Sequence, residues 1–375
     1  MQKKAGNKNI RLTIKNIRCF SEEQHFDIRP LTFLVGENST GKTTVMGCFS
    51  VIGNLINSHS RNPFNIPDFN REPYLMGSFQ DIVTKKLSTI SSKNGQKETF
   101  EIGCDLDESN CKYKIHFVER EKGAEPFIQK ARVDFKDVIF TCDNKKLTID
   151  IKGKSKNEKG VIQIPFKGPD NRFIYDFIEE PYYLLRHFIH RRNIIENRKD
   201  SRKNGKKNTD QKHQQSEIIK NIERMFEDRK YRHEMRNIFR DNIVSLAPIR
   251  SKPKRTYDPI REIPDPEGTE IPVTIMKLSN TGTDWERMHK KLIQFGQTSD
   301  LFSDITVKKY GKSIGEPFQL QFQVRGFQSN IMDIGYGVSQ ILPLLVRLFY
   351  PQREDFKRNM VVSDRFRNRF ILQQP

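Results

Sequence analysis

Cysteine is scarce and scattered in this chain. The five present, Cys19, Cys48, Cys104, Cys111 and Cys142, include no C-x-x-C pair and make an odd count. That excludes a disulfide framework and a cysteine-based zinc site; isolated cysteines of this kind are ordinarily small buried apolar residues. The eight histidines form no H-x-x-x-H pair and no Cys/His cluster. No run of about 18 apolar residues exists, so no membrane-spanning helix is expected. The charged start, residues 1–9, lacks the apolar stretch of a secretory signal, which leaves the cytoplasm as the expected location. An N-K-x-D motif for reading guanine is missing, and so is any acidic cluster resembling a nuclease site.

Negative charge is also in short supply. Asp and Glu number 47 against 66 Lys and Arg, a formal net charge of +19. Such an excess favours a polyanionic partner, nucleic acid first. Solvated basic faces would leave the same excess, so charge alone names no partner. Hydrophobic residues make up only 35% of the chain, still enough for a core, and the 10% of aromatics argues against wholesale disorder. A length of 375 residues suggests two or three structural units.

What is present centres on Gly36-Glu37-Asn38-Ser39-Thr40-Gly41-Lys42-Thr43-Thr44, which fits G-x-x-x-x-G-K-[ST] at every fixed position. Leu31–Val35 before it reads as a short buried strand. Val45, Met46, Phe49, Ile52, Leu55 and Ile56 after it fall at helical spacing. Strand, glycine-rich loop and helix together are the context of a phosphate-binding loop. The glycines let backbone N–H groups wrap phosphates, and the helix start adds its positive end. Lys42 is placed to reach the β- and γ-phosphates, and the Thr43 hydroxyl to bind Mg²⁺.

Residues 10–20 begin with a period-two alternation, Ile10, Leu12 and Ile14 against Arg11, Thr13 and Lys15, which predicts a half-buried strand. Phe26 and Ile28 predict a second, so two or three strands precede the loop, unlike a simple strand-first dinucleotide fold. Segments starting at Thr99, Tyr113, Ala131 and Leu147 alternate in the same way between polar turns, predicting an antiparallel meander over residues 97–166. Residues 171–190 and those from 214 onward predict helices. Between them, residues 190–213 are strongly basic and read either as a linker or as an arm facing nucleic acid. Thr283–Glu286 predicts a capping box opening a helix that runs to about Phe295. Strands are expected at 305–309 and 318–325. They lead to the glycine-rich turn Ile334-Gly335-Tyr336-Gly337-Val338-Ser339-Gln340 and an apolar helix, a second helix start built to hold an anion.

The run Ile10–Phe20, a hairpin and then Leu31–Thr44 resemble the amino-terminal half of an ABC-type P-loop ATPase head. The likeness is to the RecF/SMC-like and OLD-like group, AAA family ATPases of DNA repair and phage defence. The resemblance implies that Arg18 leans on the nucleotide and that Gln80 binds Mg²⁺ and the attacking water. It implies that Gly335, Gly337, Ser339 and Gln340 stand where the ABC signature contacts the γ-phosphate of a second head. That contact would use the backbone alone, or Ser339 or Gln340, because Gly335 replaces the signature serine. Arg369–Pro375 resembles the start of a Walker B strand, with Gln373 where the metal-directing acid often lies. The general base and the switch histidine expected next are not in the chain, as in a truncated or split ATPase, so the catalytic residues stay unassigned.

These readings predict an α/β fold, an ABC-type P-loop NTPase head with an antiparallel β lobe and a helical insert. Residues 1–170 would form the amino-terminal part of the head, 171–242 the insert with its basic linker, and 243–375 the carboxy-terminal part. The cofactors implied are ATP and Mg²⁺. The partners implied are a second copy of the chain joined through ATP, nucleic acid, and an effector nuclease or toxin, with no membrane. The first rival function is a non-hydrolysing, nucleotide-responsive scaffold or nucleic-acid-binding subunit. The second is another P-loop chemistry, a small-molecule kinase or a GTPase.

Overall fold

The computed structural model describes residues 10–29, 31–57, 67–85, 98–106, 111–135, 138–143, 146–151, 160–165, 178, 246–247, 250–259, 265–311, 315–350 and 370–373. Two compact units divide the chain. One takes Met1–Ile243 with Arg369–Gln374, the other Val244–Asn368 with Pro375. Apart from Ile178, the predicted helical insert and its basic arm lie outside the described residues.

The first unit is built on a wide antiparallel sheet. Its strands are β1 (Ile10–Lys15), β2 (Gln24–Ile28), β4 (Thr99–Leu106), β5 (Cys111–Val118), β6 (Phe127–Phe135), β7 (Val138–Asp143), β8 (Lys146–Ile151) and β9 (Gly160–Pro165). They lie in the order β2-β1-β4-β5-β6-β7-β8-β9. From β4 onward each strand pairs with the next, which is the predicted meander. The period-two pattern explains it. Ile10, Leu12 and Ile14 of β1 are fully buried, and β4, β5 and β7 alternate likewise, so one face of the sheet carries the core. Strands β7 and β9 add to the expectation; Val138, Phe140 and Cys142 are buried and alternate with the half-buried Ile139, Thr141 and Asp143, close behind β6.

Against this sheet packs α1 (Lys42–Asn57), the helix that follows the phosphate loop, through Val45, Cys48, Phe49, Ile52 and Ile56. An aromatic cluster fills the space beside it. Phe100 stacks on Phe117 and Phe79, with centroids 5.0 and 5.5 Å apart, and Phe69 meets Phe100 and Phe117 edge-on. Such pairs add to simple burial.

The strand leading into the loop, β3 (Leu31–Leu34), stands apart from the wide sheet. It pairs in parallel with β13 (Phe370–Gln373), Gln373 opposite Leu34. The expectation of a buried strand at Leu31–Val35 is corrected here. Leu34 packs on the core, but Leu31, Phe33 and Val35 are 57%, 54% and 76% exposed. They share one face of an extended segment, opposite to Leu34, and that face points away from the core.

In the second unit α3 (Ile271–Leu278), α4 (Gly282–Thr298) and α5 (Tyr336–Phe349) share one core with β10 (Asp304–Lys309), β11 (Phe318–Val324) and β12 (Phe327–Asn330). The three strands form an antiparallel sheet in sequential order. The capping box predicted at Thr283–Glu286 is also corrected. The helix starts earlier, at Gly282, and its N-cap, Thr281, makes no side-chain capping bond. The Thr281 hydroxyl instead donates to Leu278 O of the preceding helix (2.8 Å), so the tight α3–α4 link sets the boundary. A buried ion pair braces this unit: Arg347 Nη2 of α5 lies 2.6 Å from Glu270 Oε1 just before α3.

Candidate nucleotide site

The phosphate loop has the backbone its glycines permit. Gly41 has φ +93°, and Ser39 takes the left-handed region at φ +66°. Thr40 Oγ1 donates to Glu37 O (2.8 Å), closing the arch. Lys42 Nζ donates to the carbonyls of Gly36 and Glu37, both at 2.7 Å. The ammonium is thus drawn over the loop by two dipoles instead of extending into solvent. The helical ladder begins with Val45 N to Gly41 O (3.0 Å). The backbone N–H groups before it are those that a helix start presents to an anion. Gly36 through Thr40, with Thr43, are exposed and open to a ligand. Among the residues assigned to the nucleotide, Thr44 differs. It is 3% exposed and its Oγ1 faces Arg18 Nη1 at 3.4 Å, so its hydroxyl is directed into the protein.

The turn after β1 forms the wall behind the loop. Asn16 and Arg18 both adopt positive φ, 58° and 46°, which bends the chain sharply and lays Cys19 and Phe20 against Gly41. A Cβ on Gly41 would sit 2.6 Å from the Phe20 ring and 2.7 Å from Cys19 Sγ. Close approach, as well as φ, therefore requires glycine there. The Arg18 guanidinium reaches Thr44 Oγ1, Met76 O (2.9 Å) and Asp81 O (3.4 Å). It ties the helix of the phosphate loop to the segment that carries Gln80.

Gln80 lies in α2, the single turn Phe79–Ile82. Phe79 and Ile82 are fully buried and anchor it, while Gln80 is exposed. Ser78 N and Oγ both donate to Asp81 Oδ2, at 2.9 and 2.7 Å. These bonds, the hydroxyl's first, hold the Asp81 carboxyl below its ordinary pKa. On the far side, Gly47 in α1 leaves room for Met76 and Tyr74, whose atoms a Cβ would meet at 2.9 and 3.4 Å. Loop, Arg18 turn and Gln80 helix thus form one continuous patch.

A triphosphate fits this patch: the loop is open, glycine-backed and topped by an ammonium. Among the described residues no group of three or more His, Cys, Asp or Glu is placed to hold a metal. A Mg²⁺ here would depend on phosphate oxygens, the Thr43 hydroxyl and the Gln80 amide oxygen, the sparse protein ligation that ion tolerates.

The glycine-rich turn of the second unit has a different character. Gly335 is the N-cap of α5 with φ −54°. A Cβ on Gly335 or Gly337 would meet nothing within 4 Å. Met332 and Tyr336 on either side are 53% and 58% exposed. Ser339 is buried and its hydroxyl donates to Tyr336 O (2.8 Å), and Gln340 Oε1 accepts from Arg250 N (3.1 Å). Both side chains are engaged inside the fold, so the turn offers its backbone outward, and neither side chain stands where an outside phosphate would meet it. The basic stretch at 250–257 straps this turn. Arg255 forms a two-pronged ion pair with Asp333 (2.6 and 2.9 Å), and Arg255 O accepts from Asn330 Nδ2.

A family model described as an AAA ATPase domain matches residues 10–361, nearly the whole chain. No curated protein matches the sequence. Among the described residues no helix is long and apolar enough to cross a membrane.

Proposed function

Because the chain belongs to the AAA ATPase domain family, we propose that it binds ATP with Mg²⁺ at residues 36–44 and joins a second copy, head to head, through the turn at 334–337. The observation that carries the first part is the Lys42 ammonium, held by the Gly36 and Glu37 carbonyls over an exposed loop that opens a helix. The second part rests on Gly335 and Gly337. Among the described residues a Cβ at either position would meet nothing within 4 Å, which leaves the backbone open to a partner's close approach and supports this part of the reading. The likeness to RecF/SMC-like and OLD-like ATPases, with the net charge of +19, supports work on nucleic acid in phage defence or DNA repair.

Titrating ATP with and without Mg²⁺, using Lys42→Ala as control, tests the binding site. Binding that is unchanged in the variant sinks it. For the pairing, molecular mass is measured with and without ATP. Gly335→Ala and Gly337→Ala should leave the fold and ATP binding intact yet abolish an ATP-dependent dimer, and a dimer that persists in both refutes the role of the turn. A DNA or RNA shift that weakens as salt rises tests the polyanion partner, and no shift at low salt rejects it.

A second reading has one specific observation in its favour. Residue 373, beside Leu34 at the end of the strand entering the loop, is a glutamine. A neutral amide at that register position suits a subunit that binds nucleotide and signals by assembly more than one that cleaves it. Binding without turnover, including in the presence of nucleic acid, would select this reading.

A further inference from the structure

We infer that Glu119 is a positioning residue for Gln80, one that decides which end of the Gln80 amide is offered to a nucleotide-bound metal. This rests on the reading of Gln80 as a metal contact. An amide end group is nearly symmetric in shape, but only its oxygen can bind a cation. An exposed glutamine on a single helical turn, with no fixed neighbour, would present oxygen and nitrogen about equally.

Gln80 has such a neighbour. Its Nε2 donates to Glu119 Oε2 at 2.9 Å. A carboxylate only accepts, so it can hold only the NH₂ end, and the reverse orientation would set oxygen against oxygen. The Gln80 oxygen is thereby fixed on the other side. A hydrogen bond to an ionised group is among the stronger kind.

Glu119 is itself held in place. Its second oxygen accepts from Gly123 N at 3.0 Å, so the two carboxylate oxygens serve one donor each. The surrounding turn between β5 and β6 is joined to α2 at further points. Phe79 N donates to Ala124 O (3.0 Å), and Asn70 Nδ2 reaches both Glu125 Oε1 and Gly77 O (3.2 Å each). The strand register slips between His116 and Phe117, just before Glu119, which re-aims the end of β5. On the opposite side Arg18 holds α2 through Asp81 O and, from its backbone N–H, Ile82 O (2.8 Å), and touches Thr44 of the phosphate-loop helix. Gln80 is gripped between the β5–β6 turn and the arginine that contacts the loop helix.

The test is the Mg²⁺ concentration needed for half-maximal ATP binding by the full chain, with metal-free ATP affinity and thermal unfolding measured alongside. Gln80→Ala should raise it about tenfold, a loss near 1.4 kcal/mol. Glu119→Gln keeps the shape and one hydrogen bond but can pair with either end of the Gln80 amide. Releasing the orientation to about one half in each direction, plus the ordering this restores, predicts a rise of about two- to fivefold. Glu119→Ala should do the same, and neither should add to the effect of Gln80→Ala. A purely structural role would be rescued by glutamine and would show in thermal unfolding instead. Wild-type Mg²⁺ dependence in both Glu119 variants while Gln80→Ala is impaired overturns the inference and leaves the Gln80 reading intact. Effects that add in the double variants overturn it too. No effect of Gln80→Ala overturns the metal reading of Gln80 and this inference with it.

Discussion

Replacing Gly41 with alanine isolates the contact between the phosphate loop and the turn behind it. The new Cβ would lie 2.6 Å from Cε2 and Cζ of Phe20 and 2.7 Å from Cys19 Sγ, about 1 Å inside ordinary contact. The ring has little freedom to retreat. Phe20 packs edge-on against Phe26 at 5.7 Å, and its backbone exchanges hydrogen bonds with Ile17 at 2.8 and 3.0 Å. Overpacking of this kind costs about 1–3 kcal/mol, and a non-glycine residue at φ +93° adds about 1–2 kcal/mol. The loop can escape both by opening, so the cost appears as a smaller fraction of binding-competent loop. At about 1.4 kcal/mol per tenfold, a total of about 2–5 kcal/mol lowers ATP affinity by about thirtyfold to a few thousandfold. Isothermal titration reads this directly. Adding Phe20→Ala removes the ring and should restore about tenfold of the loss, leaving the part due to φ and Cys19. Wild-type affinity in Gly41→Ala refutes the packing argument. A double variant no better than the single one shows that Phe20 is not the obstacle.

The Glu270–Arg347 pair, 4% and 14% exposed, should make Glu270→Ala lose up to about 3 kcal/mol in denaturant unfolding, because it leaves the guanidinium with the Asp265 carbonyl but no carboxylate; an unshifted midpoint would show the pair to be dispensable. Cys19 is the exposed thiol of the five, so N-ethylmaleimide at pH 8 should modify it alone in the folded chain. Its place against Gly41 means that ATP should slow that reaction; equal rates with and without ATP would separate Cys19 from the site. Burial pushes the Cys48 and Cys111 thiols up to about 12. A raised folded pKa holds stability that is complete below the unfolded value and is lost as pH rises. Unfolding free energy should therefore fall between about pH 9 and pH 12, and Cys48→Ala should reduce that slope by one proton. A slope that Cys48→Ala leaves unchanged would refute this.

The phosphate loop was legible in the sequence because its chemistry needs fixed residue types at fixed spacing. The meander was legible because a sheet buried on one face must alternate. Both signals are local. The exposed face of β3 was not legible, since a run with four apolar residues in five reads alike whether one face or both are covered. The Thr283–Glu286 box failed for a related reason. The residues suit a cap, but a short link from α3 had already fixed the turn through Thr281. Glu119 and the strap at Arg255 carry no motif at all. Their roles come from partners 39 and 78 residues away, and no spacing rule reaches that far. Gln80 was found only through resemblance; the bond that orients it was beyond reach.

The two glycine-rich turns look alike in sequence, and the structure separates them by what each glycine answers to. At Gly41 the demand is internal: a positive φ and a phenylalanine ring within 2.6 Å. The folded chain itself requires glycine there, ligand or no ligand. At Gly335 and Gly337 the backbone is ordinary and the space beside each Cα is open. Alanine would fit both, although at the N-cap, Gly335, glycine remains the better residue, and at Gly337, in the first turn of α5, alanine would gain at most about 1 kcal/mol. Ser339 and Gln340 are turned inward, and Arg255 and Asp333 hold the turn from one side. Among the described residues, what remains uncovered is the helix start, flanked by exposed Met332 and Tyr336. A helix start selects an anion, and exposed apolar flanks select a protein surface. On the proposed pairing, a phosphate held in the loop of a second copy of this chain would supply both.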